Sequence, residues 1–165
     1  EKSAIRNGIR EGITMLAEII TPGADSRRGR YRVLLADDDA GVRGSLTALL
    51  DGAGFETENA GGGVEALELL CRVQFSDSTN GVETNPFDFL VLDVHMPDLT
   101  GVELLRRIRT EFRWQLPALF VSGEASEALS KDVEEAGGFA LLPKPVEPDL
   151  FRSSVRDLVQ TLLKN

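Results

Sequence analysis

From Tyr31 onward, short apolar runs alternate with amphipathic stretches. Arg32-Val33-Leu34-Leu35-Ala36 reads as a strand, and Val42 to Leu50 as a helix that Gly52 and Gly54 end. Phe55 to Ala60 alternates apolar or small residues with polar ones, as an edge strand does, and the Gly61-Gly62-Gly63 turn leads into a helix from Val64 to about Val73. The run Phe87-Asp88-Phe89-Leu90-Val91-Leu92-Asp93 has no helical period and predicts a strand covered on both faces. A helix follows from Gly101 to about Phe112, with Val102, Leu104, Leu105 and Ile108 inward and Arg106, Arg107 and Arg109 on its wet side. Pro117 to Val121 is the fourth strand. Ala125 to Ala136 is a helix stopped by Gly137-Gly138, and Phe139 to Leu142 is the fifth strand. Leu150 to Leu163 closes the series, with Leu150, Val155, Leu158, Val159 and Leu162 as its packing face. Strands alternating with helices in this way predict an α/β fold, a doubly wound five-stranded parallel sheet.

Two stretches stand outside this rhythm. Gln74 to Pro86 is polar and long for a helix-to-strand connection, which makes it a surface loop at the end of the sheet away from the chemistry. Before Tyr31, Ile5, Ile9, Ile13, Leu16 and Ile20 form a helical stripe over residues 1–20, weakened by Gly8 and Gly12, and residues 21–30 have linker composition. The sequence thus divides into a helix at 1–20, a linker at 21–30 and one domain at 31–165. The first helix suits the tail of an upstream module and a segment packed on its own domain equally well.

The carboxyl ends of the strands differ in chemistry. The first delivers Asp37 and Asp38, the third Asp93, the fourth Ser122 and the fifth Lys144, whereas the second delivers nothing comparable. That distribution fits the order 2-1-3-4-5, with a crevice between strands one and three where the acids meet. Three carboxylates in one small site repel each other unless their pKa values rise or a divalent cation neutralises them. Mg²⁺ is the better answer, because it takes oxygen ligands and uses one or two carboxylates while keeping places for water and phosphate. Lys144 and the Ser122 hydroxyl would then meet phosphoryl oxygens, and Asp93 would be the nucleophile that forms an acyl phosphate. Asp39 has the ordinary role of a helix cap.

Composition narrows the partners. Residues 1–30 carry a net +2 and the remainder −11, so the body is a poor nucleic-acid binder. No apolar run is long enough for membrane insertion and no secretory pattern precedes the domain, which makes a cytoplasmic location the default. Cys71, the one cysteine, allows no internal disulfide and reads as a core thiol on a helix.

Val33-Leu34-Leu35-Ala36-Asp37-Asp38-Asp39, Val91-Leu92-Asp93-Val94-His95-Met96-Pro97 with Gly101, Phe120-Val121-Ser122-Gly123-Glu124 and Leu142-Pro143-Lys144-Pro145 together resemble the receiver domains of two-component response regulators, over roughly Tyr31 to Lys164. The resemblance implies the flavodoxin-like receiver fold and a set of roles. Asp93 would be the phosphoacceptor, Asp38 a direct Mg²⁺ ligand, Asp37 a ligand acting largely through water, and the His95 backbone carbonyl a further contact. Lys144 would pair with the phosphate, Pro145 would follow a cis peptide bond, and the Ser122 hydroxyl would move toward the phosphoryl group. His95 and Glu124 hold positions that in receivers tune how readily water attacks the acyl phosphate. The phosphodonor would be a histidine kinase or a phosphotransfer protein; dimerisation stays open, as does membership of a hybrid kinase or larger regulator. One departure stands out. Receivers usually carry an aromatic residue three positions before the lysine, and here that place holds Leu141, so conformational output requires another rearrangement.

Two rivals share the topology. A Mg²⁺-dependent phosphohydrolase with an aspartyl nucleophile would show a second acid two residues after the first, where His95 stands. A flavin-binding protein would need hydroxyl and amide donors after the first strand, where three acids would repel phosphate.

Overall fold

The computed structural model describes residues 30–77, 86–124 and 126–164. The expected helix at 1–20, nearly all of the linker and most of the 74–86 stretch lie outside them. In chain order the elements are β1 (Arg32–Ala36), α1 (Ala40–Gly52), β2 (Glu56–Ala60), α2 (Gly63–Asp77), β3 (Phe89–Asp93), α3 (Gly101–Glu111), β4 (Ala118–Ser122), α4 (Glu127–Glu135), β5 (Ala140–Pro143) and α5 (Pro148–Lys164). All strand pairs are parallel, and the sheet order is β2-β1-β3-β4-β5. Every residue of β3 and β4 is buried, as expected of central strands covered on both faces.

Side chains that alternate across the strands feed two separate cores. Leu34, Leu90, Leu92 and Phe120 face α2, α3 and α4, and pack with Leu70, Leu104, Leu105, Ile108 and Val133. Val33, Leu35, Val91 and Leu119 face the other way, onto Leu46 and Leu50 of α1 and Phe151, Val155, Leu158 and Val159 of α5. Buried leucines and phenylalanines of this kind each contribute about 1.5–3 kcal/mol. The two cores fix the register of the central strands, and with it which residues stand at their upper ends.

Helix ends follow the local chemistry. Asp39 Oδ1 accepts from the amides of Gly41 and Val42 at 2.8 and 3.0 Å and caps α1. Thr100 and Glu103 form a capping box at the start of α3. Gly137, at φ +78°, ends α4 in a left-handed conformation that other residues avoid.

Four sequence expectations need correction. Helix α2 runs on to Asp77, because no glycine or proline intervenes after Val73 to stop it. On α5, Leu150 is exposed and Phe151 takes its place, since 151, 155, 158, 159 and 162 form the true stripe and 150 lies about 100° off it. Cys71 is on a helix but exposed, on the outer side of α2 from the buried Ala66 and Leu70. Arg109 is half-buried; its guanidinium donates to the carbonyls of Ala136 and Gly137, in the turn that follows α4. Arg106 reaches the same helix through Asp132 at 2.7 Å, so two arginines of α3 hold α4.

Gly101 lies against the backbone of β3: a Cβ there would fall 2.3 Å from the Asp93 carbonyl oxygen. Gly101→Ala is therefore expected to cost roughly 1–3 kcal/mol by forcing helix and strand apart. Gly44→Ala, on an exposed face of α1 with no atom within 4 Å, should instead stabilise by about 0.5–1 kcal/mol. Thermal or urea unfolding of the two variants reads both signs.

Candidate functional site

The polar residues of the upper sheet edge are placed by strand length. β1 ends at Ala36, so Asp37 and Asp38 are the first residues beyond it, and β3 ends on Asp93 itself. Because β1 and β3 are neighbours, the three acids meet: one carboxylate oxygen from each lies within 4.8 Å of the others. Asp37 is fully buried and Asp93 is 3% exposed, whereas Asp38 faces solvent. β5 ends next to Ser122 and hands on Lys144, whose amide donates to the Ser122 carbonyl at 2.8 Å. The Lys144 ammonium then lies 2.9 Å from Asp37 Oδ2 and 3.2 Å from Asp93 Oδ2. The Lys144–Pro145 peptide bond is cis, as the resemblance implies.

The backbone around the acids is tied down. Asp37 Oδ1 accepts from the Asp39 amide at 2.8 Å, and its carbonyl accepts from the Arg43 guanidinium at 2.6 Å. Asp93 Oδ1 accepts from the His95 amide at 3.3 Å. Ser122 is buried, with Oγ accepting from the Glu124 amide at 3.0 Å. Above the pocket the exposed side chains of His95 and Glu124 meet at 3.1 Å, linking the loop after β3 to the loop after β4. Leu141 lies on β5 beside Phe120 and packs, half-buried, against the core shared with α2, α3 and α4.

Burial is the main force on the Asp93 carboxyl, pushing its pKa from the ordinary 3.8 up to about 6, and the Asp37 charge adds to it; Lys144 opposes both. Burial alone would lower the Lys144 pKa, but hydrogen bonds to Asp37 and Asp93 and their negative charges outweigh it and hold the ammonium above its ordinary range. Three carboxylates against one ammonium leave room for positive charge. Asp37 Oδ2 is buried and, Lys144 apart, forms no hydrogen bond. Hard, anionic oxygens with a spare lone pair suit Mg²⁺ and offer nothing to a soft metal.

All residues singled out from sequence for chemistry, Asp37, Asp38, Asp93, Ser122 and Lys144, converge here, with His95 and Glu124 at the rim. Sequence reasoning passed over Asp98. Its carboxylate leaves its own loop to accept from the amides of Gly63 and Val64 at the start of α2. The signal was faint: an acid after Pro97, and a helix entered through three glycines with no capping side chain.

A family model for the response regulator receiver domain matches residues 33–156. The response regulator receiver protein CpdR of Brucella abortus is 32% identical over 133 residues, covering 81% of this chain and 94% of its own. The sensor kinase CckA of the same organism is 31% identical over 80% of this chain, which spans only 13% of that protein. The solved structure of chemotaxis protein CheY4 from Vibrio cholerae superposes with a TM-score of 0.67 at 26% identity, covering 79% of this chain and 99% of CheY4. Among the described residues no helix is long and apolar enough to cross a membrane. With the strand order, the converging acids and these likenesses in agreement, the chain belongs to the receiver domain family of two-component response regulators.

Proposed function

We propose that this chain is the phosphoacceptor of a phosphorelay and that Asp93 is the residue phosphorylated. The observation that carries the reading is the Lys144 ammonium between Asp37 and Asp93, with the Asp38 carboxylate close enough to share a cation. Asp38, Asp93, the His95 carbonyl and, through water, Asp37 would hold Mg²⁺. Bound there, the ion supplies positive charge to the phosphoryl oxygens and removes the repulsion among the acids.

An Asp93 carboxylate oxygen attacks the phosphorus of a phosphohistidine on a histidine kinase or phosphotransfer protein. The O–P bond forms as the P–N bond breaks, and the bonding pair leaves with the imidazole, which takes a proton. Lys144 is drawn to the new phosphoryl group and away from its two carboxylates. The Ser122 hydroxyl, now accepting from the Glu124 amide, turns to donate to a phosphoryl oxygen. The domain catalyses its own modification and turns over no separate substrate. Its relatives range from a near full-length match in CpdR to a small part of CckA, which supports placement either alone or within a larger signalling chain. At the rim, the His95–Glu124 pair controls how water reaches the acyl phosphate.

Intact-mass measurement after incubation with Mg²⁺ and a small acyl phosphodonor should show one added phosphoryl group, absent in Asp93→Asn. Steady release of phosphate with no persistent adduct would sink the proposal. His95→Ala and Glu124→Ala should each change the lifetime of the adduct several-fold, and the double variant should fall short of the product of the two, because they share one contact. Unaltered lifetimes in both single variants count against the rim assignment.

The raised pKa of Asp93 sets a pH dependence in metal-free protein. Between about pH 4 and 6 the folded state binds more protons than the unfolded chain, so stability falls as pH rises through that window. At pH 7 with chelator, Asp93→Asn is therefore expected to be more stable than the parent, by roughly 1–2 kcal/mol. The gap should close toward pH 4, and on addition of Mg²⁺ at pH 7. Thermal melts of both proteins across this range check it.

A further inference from the structure

Helix α2 begins without a cap of its own, since the residues before it are Gly61 and Gly62. Its first amides are satisfied from elsewhere. Glu65 Oε2 takes the Gly61 amide at 2.7 Å. Asp98, in the loop that leaves the site after Asp93, takes the first two amides of the helix itself: Oδ1 accepts from Gly63 at 3.1 Å and Oδ2 from Val64 at 2.9 Å. Oδ1 also accepts from Leu99 at 2.8 Å, which orients the carboxylate on its own loop. The two segments touch so closely that a Cβ on Gly62 would sit 2.7 Å from Asp98 Oδ2, and one on Gly63 2.6 Å from the Leu99 carbonyl oxygen. Gly62 and Gly63 are thus the footprint of this loop on α2.

The loop it grips carries the other half of the site. Val94 is tied to β4 by its amide, which donates to Val121 at 2.9 Å, and its carbonyl accepts from Gly101 at 3.0 Å. Between these points His95 and Pro97 are exposed, and Met96 is buried in the core. An apolar anchor such as Met96 fixes depth but gives little direction. Asp98 supplies direction through three hydrogen bonds to backbone amides, and a carboxylate at a helix N-terminus is further favoured by the helix dipole.

We propose that Asp98 is a positioning residue: by capping α2 it fixes the 94–98 loop and the His95 carbonyl beside Asp93, and it carries the occupancy of the site to the first turn of α2. This rests on the Mg²⁺ and phosphoacceptor reading of that site. It also gives a route outward that needs no aromatic residue on β5.

The test uses the full chain. In metal-free protein, the Gly63 and Val64 amides should exchange slowly with solvent in the parent and at least tenfold faster in Asp98→Ala. By calorimetry Asp98→Ala should bind Mg²⁺ about tenfold more weakly, in the range usual for residues that orient a metal ligand, whereas Asp98→Asn, which keeps an acceptor oxygen, should recover most of the affinity. Amide shifts at Gly63 and Val64 on Mg²⁺ addition should be present in the parent and absent in Asp98→Ala. Parent-like Mg²⁺ affinity in a folded Asp98→Ala, or no shift at these amides in the parent on Mg²⁺ binding, overturns the inference alone. A parent chain that takes up neither Mg²⁺ nor a phosphoryl group overturns the functional reading beneath it. Should Asp98→Ala not fold, Gly62→Ala decides the matter, since its methyl displaces Asp98 Oδ2: a several-fold loss of Mg²⁺ affinity supports the proposal and parent affinity refutes it.

Discussion

Two buried carboxylates facing one ammonium is the contact on which the rest of this molecule depends. Asp37 and Asp93 come from neighbouring strands, and carboxylates buried side by side need a compensating positive charge. Lys144 supplies it from a third strand, reached only because β4 and β5 are in register. Every layer beneath serves that meeting. The two cores hold the sheet between its helices, and the strand lengths bring Asp37, Asp93 and Lys144 to one level. The pair of anions is only partly answered by one cation, so the folded domain stores an unmet demand for positive charge at its upper edge. A divalent ion and a phosphoryl group are the natural claimants, and each changes what Lys144 must do.

The fold was legible because its signals were redundant. Central strands such as Phe89–Asp93 are uninterrupted apolar runs, and glycines mark the ends of α1 and α4, so element type and order came through. The principal site residues were legible for a related reason. They sit one step past recognisable strands, and strand ends in a parallel sheet share one edge. What escaped were contacts between segments distant in sequence. Arg109 looks like any charged residue on a helix's wet face until α4 ends beside it, and Asp98 resembles a plain turn acid until α2 begins there without a cap. Leu150 was misjudged for a local reason: two adjacent apolar residues, Leu150 and Phe151, compete for one stripe, and the larger ring won the buried place.

The departure at Leu141 gains meaning from its surroundings. Half-buried on β5 and packed against the core, it has neither the bulk nor the polar tip of an aromatic side chain that could swing between pocket and surface. The neighbouring helix is restrained as well, with α4 held to α3 through Arg106 and Arg109. On that side the molecule is braced. Besides the His95–Glu124 contact at the rim, a further set of contacts leaves the pocket the other way, from the loop after Asp93 through Asp98 into α2.

The grip of Arg109 on α4 also bears on how such a chain can change over time. A Cβ at Gly137 would fall 2.0 Å from the Arg109 guanidinium, and the backbone there has a φ of +78°. Asparagine could accept that backbone but would push the guanidinium aside. The two positions are therefore coupled: a side chain at 137 pushes the Arg109 guanidinium off the Ala136 and Gly137 carbonyls, and loss of Arg109 leaves those two carbonyls without it. Neither first step is free, and the pair is expected to drift together or stay as it is.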